Sequence, residues 1–170
     1  MKVFSNSYFE DLLTAASHSK RLRMHANVHE AYSESCQRLF NAIKSQSYIR
    51  PHIHALDDKN ECLIAIKGIF ALMIFSDYGS VESTILFGSE KYSEIFPIAS
   101  GLEISAGTWH TVVSLQNESI LFEVKSGPFD PTLAKEFAPW APVEGDKNAA
   151  DYLRSLRQKG LDLLTKAHVG

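Results

Sequence analysis

The stretch Ile49-Arg50-Pro51-His52-Ile53-His54 decides the fold that we predict for this chain. Alternate residues of a β-strand point to the same face, so a His-x-His pair on a strand aims two imidazoles at one point. Glu61 follows after a short loop, and Gly107-Thr108-Trp109-His110 comes much later in the chain. A lone histidine in a strand is usually an ordinary hydrogen-bonded residue, but this combination predicts one metal site. Its predicted ligands are His52, His54, Glu61 and His110.

Composition limits the possible partners of the protein. The chain has 170 residues, enough for one domain with terminal helical additions. Its 17 basic and 20 acidic residues give a net charge of −3 without long runs of either sign, which argues against nucleic acid or membrane partners. The N-terminus lacks the apolar region of a signal peptide, and no apolar stretch approaches the ~20 residues of a membrane span. We therefore expect a cytoplasmic protein whose two cysteines, Cys36 and Cys62, are small buried side chains and stay reduced.

The pattern of apolar residues and turns predicts an all-β core between helical ends. Residues 1–35 are expected to form an N-terminal helix (5–19) and an extended arm (21–29). Residues 36–128 form the predicted barrel, because short strands with frequent turn signals are typical of sandwiches and barrels. Residues 129–170 are a C-terminal extension in which an apolar segment (137–142) lies along the barrel and a helix follows at 147–167, with Lys159-Gly160 as a candidate break. The predicted strands are 36–43, 48–54, 61–67, 69–75, 81–87, 95–98, 102–104, 108–115 and 120–125.

The spacing of the candidate ligands resembles the two sequence motifs of the cupin superfamily. His52-x-His54, Glu61 and Gly68 match the first motif, and Gly107 and His110 match the second. Six residues separate His54 from Glu61, where the motif has three or four, so Glu61 is the ligand that departs most from the pattern. Three further departures are serines: Ser47 stands near the position of the opening glycine, Ser105 replaces a proline and Ser114 replaces the final asparagine.

A closer resemblance is to the cupin fold metalloproteins of the WbuC type, which are found among genes for O-antigen and other polysaccharides. It covers residues 21 to 145 and implies a cupin barrel (double-stranded β-helix or jelly roll) that holds a divalent metal. It does not imply a particular reaction. The matching pieces are Arg21-x-Arg23, Asn27-x-His29, Gln37-Arg38, Arg50-Pro51-His52-x-His54, Gly107-Thr108-Trp109-His110-Thr111, Phe122-Glu123-Val124-Lys125, Gly127-Pro128-Phe129 and Phe137-Ala138-Pro139-Trp140-x-Pro142.

The predicted ligand set determines which ions and reactions are possible. Three imidazoles and a carboxylate leave an open position for water or substrate and suit Fe, Zn, Ni, Mn or Co without choosing among them. A metal-dependent isomerase, epimerase or oxygenase that acts on a small polar or sugar-derived molecule is the leading hypothesis. The alternative is a non-catalytic module in which the metal orients a small ligand or holds the barrel together.

Side chains near the histidines suggest what shares the pocket. Tyr48 and Arg50 have the same strand parity as His52, so they are expected to face the barrel interior and are candidate catalytic residues. Glu123 and Lys125 share a parity on the last strand. Three readings stay open: an ion pair such as Arg50 with Glu123, an anionic or sugar-like ligand held by Arg50 and Lys125 with Glu123 as acid/base, or Glu123 and Lys125 facing solvent.

Two further expectations concern the surface of the barrel. The N-terminal arm could close over the barrel mouth and bring Arg23, Asn27 and His29 to the substrate; the alternative is ordinary surface exposure or structural hydrogen bonding of these residues. Trp109 has the opposite parity to His110 and is expected to pack. A homodimer is expected through the segment 137–142 or the first strand.

Overall fold

The computed structural model describes residues 1–55 and 58–169 of the chain. Within these residues none of the helices is long and apolar enough to cross a membrane. The elements are α1 (Asn6–His18), β1 (Arg23–Asn27), β2 (Cys36–Ile43), β3 (His52–Ile53), β4 (Glu61–Lys67), β5 (Ile69–Phe75), β6 (Val81–Gly88), α2 (Glu90–Ser93), β7 (Gly101–Ile104), β8 (His110–Ser114), β9 (Ser119–Ser126), β10 (Glu136–Phe137) and α3 (Ala149–Val169).

The strands form two antiparallel sheets with the connectivity of a jelly roll. The first sheet has the order β1-β2-β9-β4-β7, and the second has the order β10-β3-β8-β5-β6. From β2 to β9 the chain alternates between the sheets, except that β5 and β6 form a hairpin in the second. Eight strands in two interleaved Greek keys define this architecture. The predicted all-β core with helices at both ends is confirmed.

Apolar side chains from both sheets meet to form the core. Ile43, Leu63 and Leu121 of the first sheet pack with Phe70 and Phe87 of the second. Each sheet is also covered on its outer face by a helix. Leu12, Leu13 and Ala16 of α1 lie on the first sheet, and Leu153 and Leu156 of α3 lie on the second. This double coverage explains why β5 is apolar at every position, since a strand buried on both faces does not alternate.

Gly68 connects β4 to β5 in a backbone conformation that glycine adopts without strain. Its φ is +88°, and an added Cβ would lie 2.2 Å from the Ser119 side-chain oxygen. The predicted glycine bend is therefore present and also lets β9 pass close behind it. The predicted polar loop at 55–60 is described only in part, because residues 56 and 57 lie outside the described residues.

Several local predictions were wrong. The segment 95–98 is a turn that follows α2 rather than a strand, since Phe96 and Ile98 pack on the core from this turn. The predicted extended arm at 21–29 contains a strand that was not predicted, β1, which pairs with β2 at the edge of the first sheet. Cys36 is exposed rather than buried.

The C-terminal helix α3 is continuous through Gly160, where a break was a candidate. A Cβ at this position would lie 2.9 Å from the Ala71 Cβ and 3.0 Å from a Leu115 methyl carbon. The glycine therefore serves helix–sheet packing, because it lets α3 approach the second sheet closely. Before this helix, the segment 137–142 lies along the barrel as predicted, with Ala138 and Ala141 buried.

Candidate metal centre

Three buried histidines lie together on the inner face of the second sheet. His52 in β3 is the register partner of His110 at the start of β8, and His54 follows β3 directly. Their exposed fractions are 7%, 2% and 5% for His52, His110 and His54. One ring nitrogen from each lies within 4.8 Å of the others, so the three form a group that could hold a metal ion.

Backbone carbonyl groups fix which nitrogen of each imidazole is available to a metal. His52 and His110 each contact the carbonyl oxygen two residues earlier through Nδ1, at 3.0 and 2.8 Å. The Nδ1 atom of His54 contacts the carbonyl oxygen of Ala134. Because a carbonyl oxygen only accepts, each Nδ1 carries a proton, and each Nε2 is the nitrogen left to bind an ion. The Nε2 atom of His54 is buried and has no hydrogen-bond partner among the described residues. These features fit a transition-metal ion.

Glu61 begins β4 in the opposite sheet and flanks this group. Its Oε2 atom lies 3.5 Å from Nε2 of His110 and 3.7 Å from Nε2 of His54. Two ligands that each lie about 2.1 Å from one ion are separated by about 3.0–3.5 Å, so the first distance fits a shared ion and the second is slightly longer. Burial alone would raise the pKa of the Glu61 carboxyl, but contacts with His110 and His54, together with the nearby Lys125, hold it well below its usual range.

Glu123 and Lys125 on β9 face the same interior. Lys125 Nζ lies 3.3 Å from Oε1 of Glu123 and 3.4 Å from Oε1 of Glu61. The other oxygen of Glu123 accepts a hydrogen bond from Asn41 Nδ2 at 2.9 Å. Burial, and then the charge of Glu61, raise the pKa of Glu123 to about 8. The reading in which Glu123 and Lys125 face solvent is therefore wrong, and the ion-pair partner of Glu123 is Lys125 rather than Arg50.

Tyr48 and Arg50 do not face the interior, contrary to expectation. The residues before His52 are not in a regular strand, so strand parity does not apply to them. The Tyr48 hydroxyl donates to the carbonyl oxygen of Pro142 at 2.9 Å, and Arg50 Nη2 donates to that of Ala138 at 2.6 Å. Both side chains anchor the C-terminal extension, and the structure does not bring them to the histidines.

A cavity of about 440 Å³ opens between the metal group and β1. His52, His110 and Glu61 line it on one side. The predicted arm residues line the other side, because β1 places alternate side chains on the wall. These predicted residues are Arg23, Asn27 and His29. His25, which was not predicted, lines the same side.

Comparison with known proteins shows which families and solved structures this chain resembles. Residues 4–87 match a protein family described as "Domain of unknown function (DUF6016)". No curated protein matches the sequence. The solved structure of protein SO0799 from Shewanella oneidensis is 9% identical, covers 75% of this chain and 82% of that chain, and has a TM-score of 0.55. The capsular polysaccharide assembling protein CapF from Staphylococcus aureus is 16% identical, covers 70% of this chain and 32% of its own, and has a TM-score of 0.52.

The chain has the cupin fold. The jelly-roll strand order and the histidines of β3 and β8 on its inner face agree with the motifs in the sequence. At these identities the solved structures show the fold alone. The family match ends inside β6, so it includes His52, His54 and Glu61 but not His110.

Sequence reasoning missed several residues of the metal centre and its cavity. Asn41 could have been found, because it is a polar residue at an inward position of β2, the register partner of Leu121. Lys135 and Ala134 gave no such signal, since they come from the extension and reach the barrel only through the folding of that segment. Trp109 packs against the outer core beside Trp140, with ring centroids 6.1 Å apart, as expected.

Proposed function

We propose that this protein is a metal-dependent enzyme that acts on a small polar, sugar-derived substrate. The observation that carries the proposal is the group of three buried histidines, two of which, His52 and His110, line a cavity of about 440 Å³. The proposed ion is a divalent Fe, Zn, Ni, Mn or Co held by His52, His54, His110 and Glu61, since imidazole and carboxylate suit all five.

The side chains around this group suggest proton-transfer chemistry. A bound ion would supply Lewis acidity toward a carbonyl or hydroxyl oxygen of the substrate. Glu123 is a cavity-facing carboxyl held by Asn41 and Lys125, which positions it to donate or accept a proton. Isomerisation and epimerisation of sugars both need such a group, so we favour these reactions over oxygenation.

The biological setting is proposed from the resemblance to WbuC-type cupins. That family is found with polysaccharide genes, and CapF, which shares the fold, is described as a capsular polysaccharide assembling protein. We propose a cytoplasmic role in cell-surface polysaccharide synthesis.

We also propose a homodimer. Because β2 lies between β1 and β9, pairing would use the outer side of the C-terminal segment, where Phe137 is 52% exposed. Sedimentation that shows only monomer at micromolar concentration would exclude the dimer.

Elemental analysis followed by activity assays tests the function. We expect protein purified without added metal to carry one equivalent of a transition metal, and His110→Ala to lose it. His18→Ala serves as the matched control, because His18 is exposed on α1. Nucleotide sugars and sugar acids are then screened for turnover, and oxygen uptake with iron but not zinc would identify an oxygenase instead.

The screen also separates the enzyme from a non-catalytic cupin. A binding module predicts a large metal-dependent rise in melting temperature, because the ion binds only the folded state, together with no turnover of any sugar. Absence of metal from wild-type protein, with no stabilisation by any of the five ions, would exclude both functions.

A further inference from the structure

The cationic side chains around the cavity outnumber the carboxylates that can balance them. Arg21 and Arg23 line the cavity, and both pair with Glu144, at 3.2 and 2.7 Å. One carboxylate therefore serves two guanidinium groups. Glu144 does not line the cavity itself, so an excess positive charge remains on the β1 side of the mouth.

Lys135 in the C-terminal extension adds a second positive charge to the cavity lining. It lines the cavity, and no acidic group lies within ion-pair distance of it among residues 1–55 and 58–169. Its electrostatic neighbours are Glu123, Glu61, Lys125 and Arg23, so its ammonium group acts on the same space. The aromatic ring of Phe137 lies 6.0 Å from this ammonium group.

Deeper in the cavity the charges nearly balance. Lys125 lies between the carboxyl groups of Glu61 and Glu123, which leaves at most one negative charge there. The two positive charges of a divalent ion at the three histidines would outweigh that single negative charge. The cavity as a whole therefore carries net positive charge, and a partly desolvated space of this kind favours an anion over a neutral molecule.

Further hydrogen-bonding groups lie along the same wall. His25 and Asn27 point to the cavity from β1. His29 is only 6% exposed, and its Nδ1 contacts the backbone of Arg38 at 2.9 and 3.0 Å. Its Nε2 atom is buried without a partner among the described residues and belongs to the cavity lining. A buried imidazole nitrogen without a partner costs free energy, which a ligand hydroxyl or anionic oxygen would recover.

We propose that the cavity binds a sugar-derived anion, with a carboxylate or phosphate group held between Lys135 and the Arg21–Arg23 pair. The hydroxyl or carbonyl oxygens of the sugar then extend toward the histidine centre, and His29 Nε2 contacts one of them. This inference rests on the proposed function and deepens it, because it names the charge of the substrate and the residues that select it. Lys135, rather than Arg50, is the cation that recognises the anionic group.

Isothermal titration of the metal-loaded protein with three probes tests this inference. Glucose 6-phosphate and glucuronate represent the two anionic groups, and glucose is the neutral reference. We expect at least one anion to bind at least about tenfold more tightly than glucose, because its charged group adds charge-assisted contacts that glucose cannot make. The anion that binds more tightly identifies the group as phosphate or carboxylate.

Variants locate the contact. Lys135→Gln should weaken binding of the preferred anion about tenfold while glucose affinity and metal content stay unchanged. Lys147→Gln, at an exposed position of the same extension, should change nothing. Equal binding of glucose and both anions, no binding of any probe, or an unchanged anion affinity in Lys135→Gln would overturn the inference. Wild-type protein that takes up no metal would instead overturn the proposed function, before any sugar is added.

Discussion

The Nε2 atom of His110, in one sheet of the barrel, lies 3.5 Å from the Oε2 atom of Glu61, in the other sheet. The candidate metal site therefore joins two sheets that otherwise meet through apolar packing. An ion bound there would hold the sheets together as well as take part in chemistry, because it binds the folded state and not the unfolded chain.

Glu61→Gln should weaken metal binding without unfolding the protein. The amide keeps the size of the side chain but loses the negative charge that stands next to both His54 and His110. We expect the dissociation constant for Zn to rise at least about tenfold, since even outer-shell partners of metal ligands contribute that much. Competition with a chromophoric chelator measures it. Glu82→Gln, at an exposed position of β6, is the control, and equal affinities in the two variants would remove Glu61 from the site.

Acid should destabilise the metal-free protein through His52. Burial, and then the charges of Lys135 and His110, lower the pKa of His52 well below its ordinary 6.5. Below about pH 6.5, His52 is protonated in the unfolded chain but not in the folded chain. The free energy of unfolding therefore falls as the pH falls. Between about pH 7 and about pH 5.5 this loss should be about 1 kcal/mol larger for wild type than for His52→Gln.

Urea denaturation of both proteins without metal, at the two pH values, measures this loss. A loss of equal size in wild type and His52→Gln would show that other groups govern the acid sensitivity. Adding metal should shift the loss to lower pH, because protons and the ion compete for the same imidazoles.

Tyr48→Phe should affect stability and leave metal content unchanged. The Tyr48 hydroxyl donates to the carbonyl oxygen of Pro142, so its removal costs one hydrogen bond, about 1 kcal/mol of unfolding free energy. Tyr78→Phe is the matched control, since Tyr78 is 92% exposed and should change nothing. If Tyr48→Phe lowered turnover at full metal occupancy and normal stability, the side chain would belong to the catalytic machinery after all.

Gly160→Ala should destabilise the protein although alanine is the better helix former. The helical preference favours alanine by about 1 kcal/mol, but the new methyl group would crowd Ala71 and Leu115, and overpacking costs about 1–3 kcal/mol. The net loss measured by chemical denaturation should therefore be at most about 2 kcal/mol. Lys159→Ala, one residue earlier and exposed, provides the control. A gain in stability from Gly160→Ala would mean that the helix moves outward at little cost.

The regular strands, and the candidate metal ligands that lie on them, could be predicted from the sequence because local patterns determine both. β2, β4 and β5 have the predicted bounds, and the spacing of His52, His54 and His110 indicated a shared site. Period-two alternation and glycine turns are properties of neighbouring residues, so no tertiary information was needed.

The errors occur where contacts distant in sequence override such patterns. Arg50 has the parity of His52, but the carbonyl oxygen of Ala138 draws its side chain away from the cavity. No sequence pattern marks Lys135, which reaches the cavity because the extension packs back on the barrel. Gly160 looked like a helix break, and only the closeness of Ala71 explains it.

The contact between His54 and the carbonyl oxygen of Ala134 has a consequence for dissection of the molecule. The eight jelly-roll strands end at Ser126, so a fragment cut after the barrel would contain every candidate ligand yet lack the group that orients one of them. Such a fragment should bind metal weakly, and a separately supplied C-terminal peptide should restore affinity. The packing of the C-terminal extension against the barrel would therefore determine how tightly the ion binds.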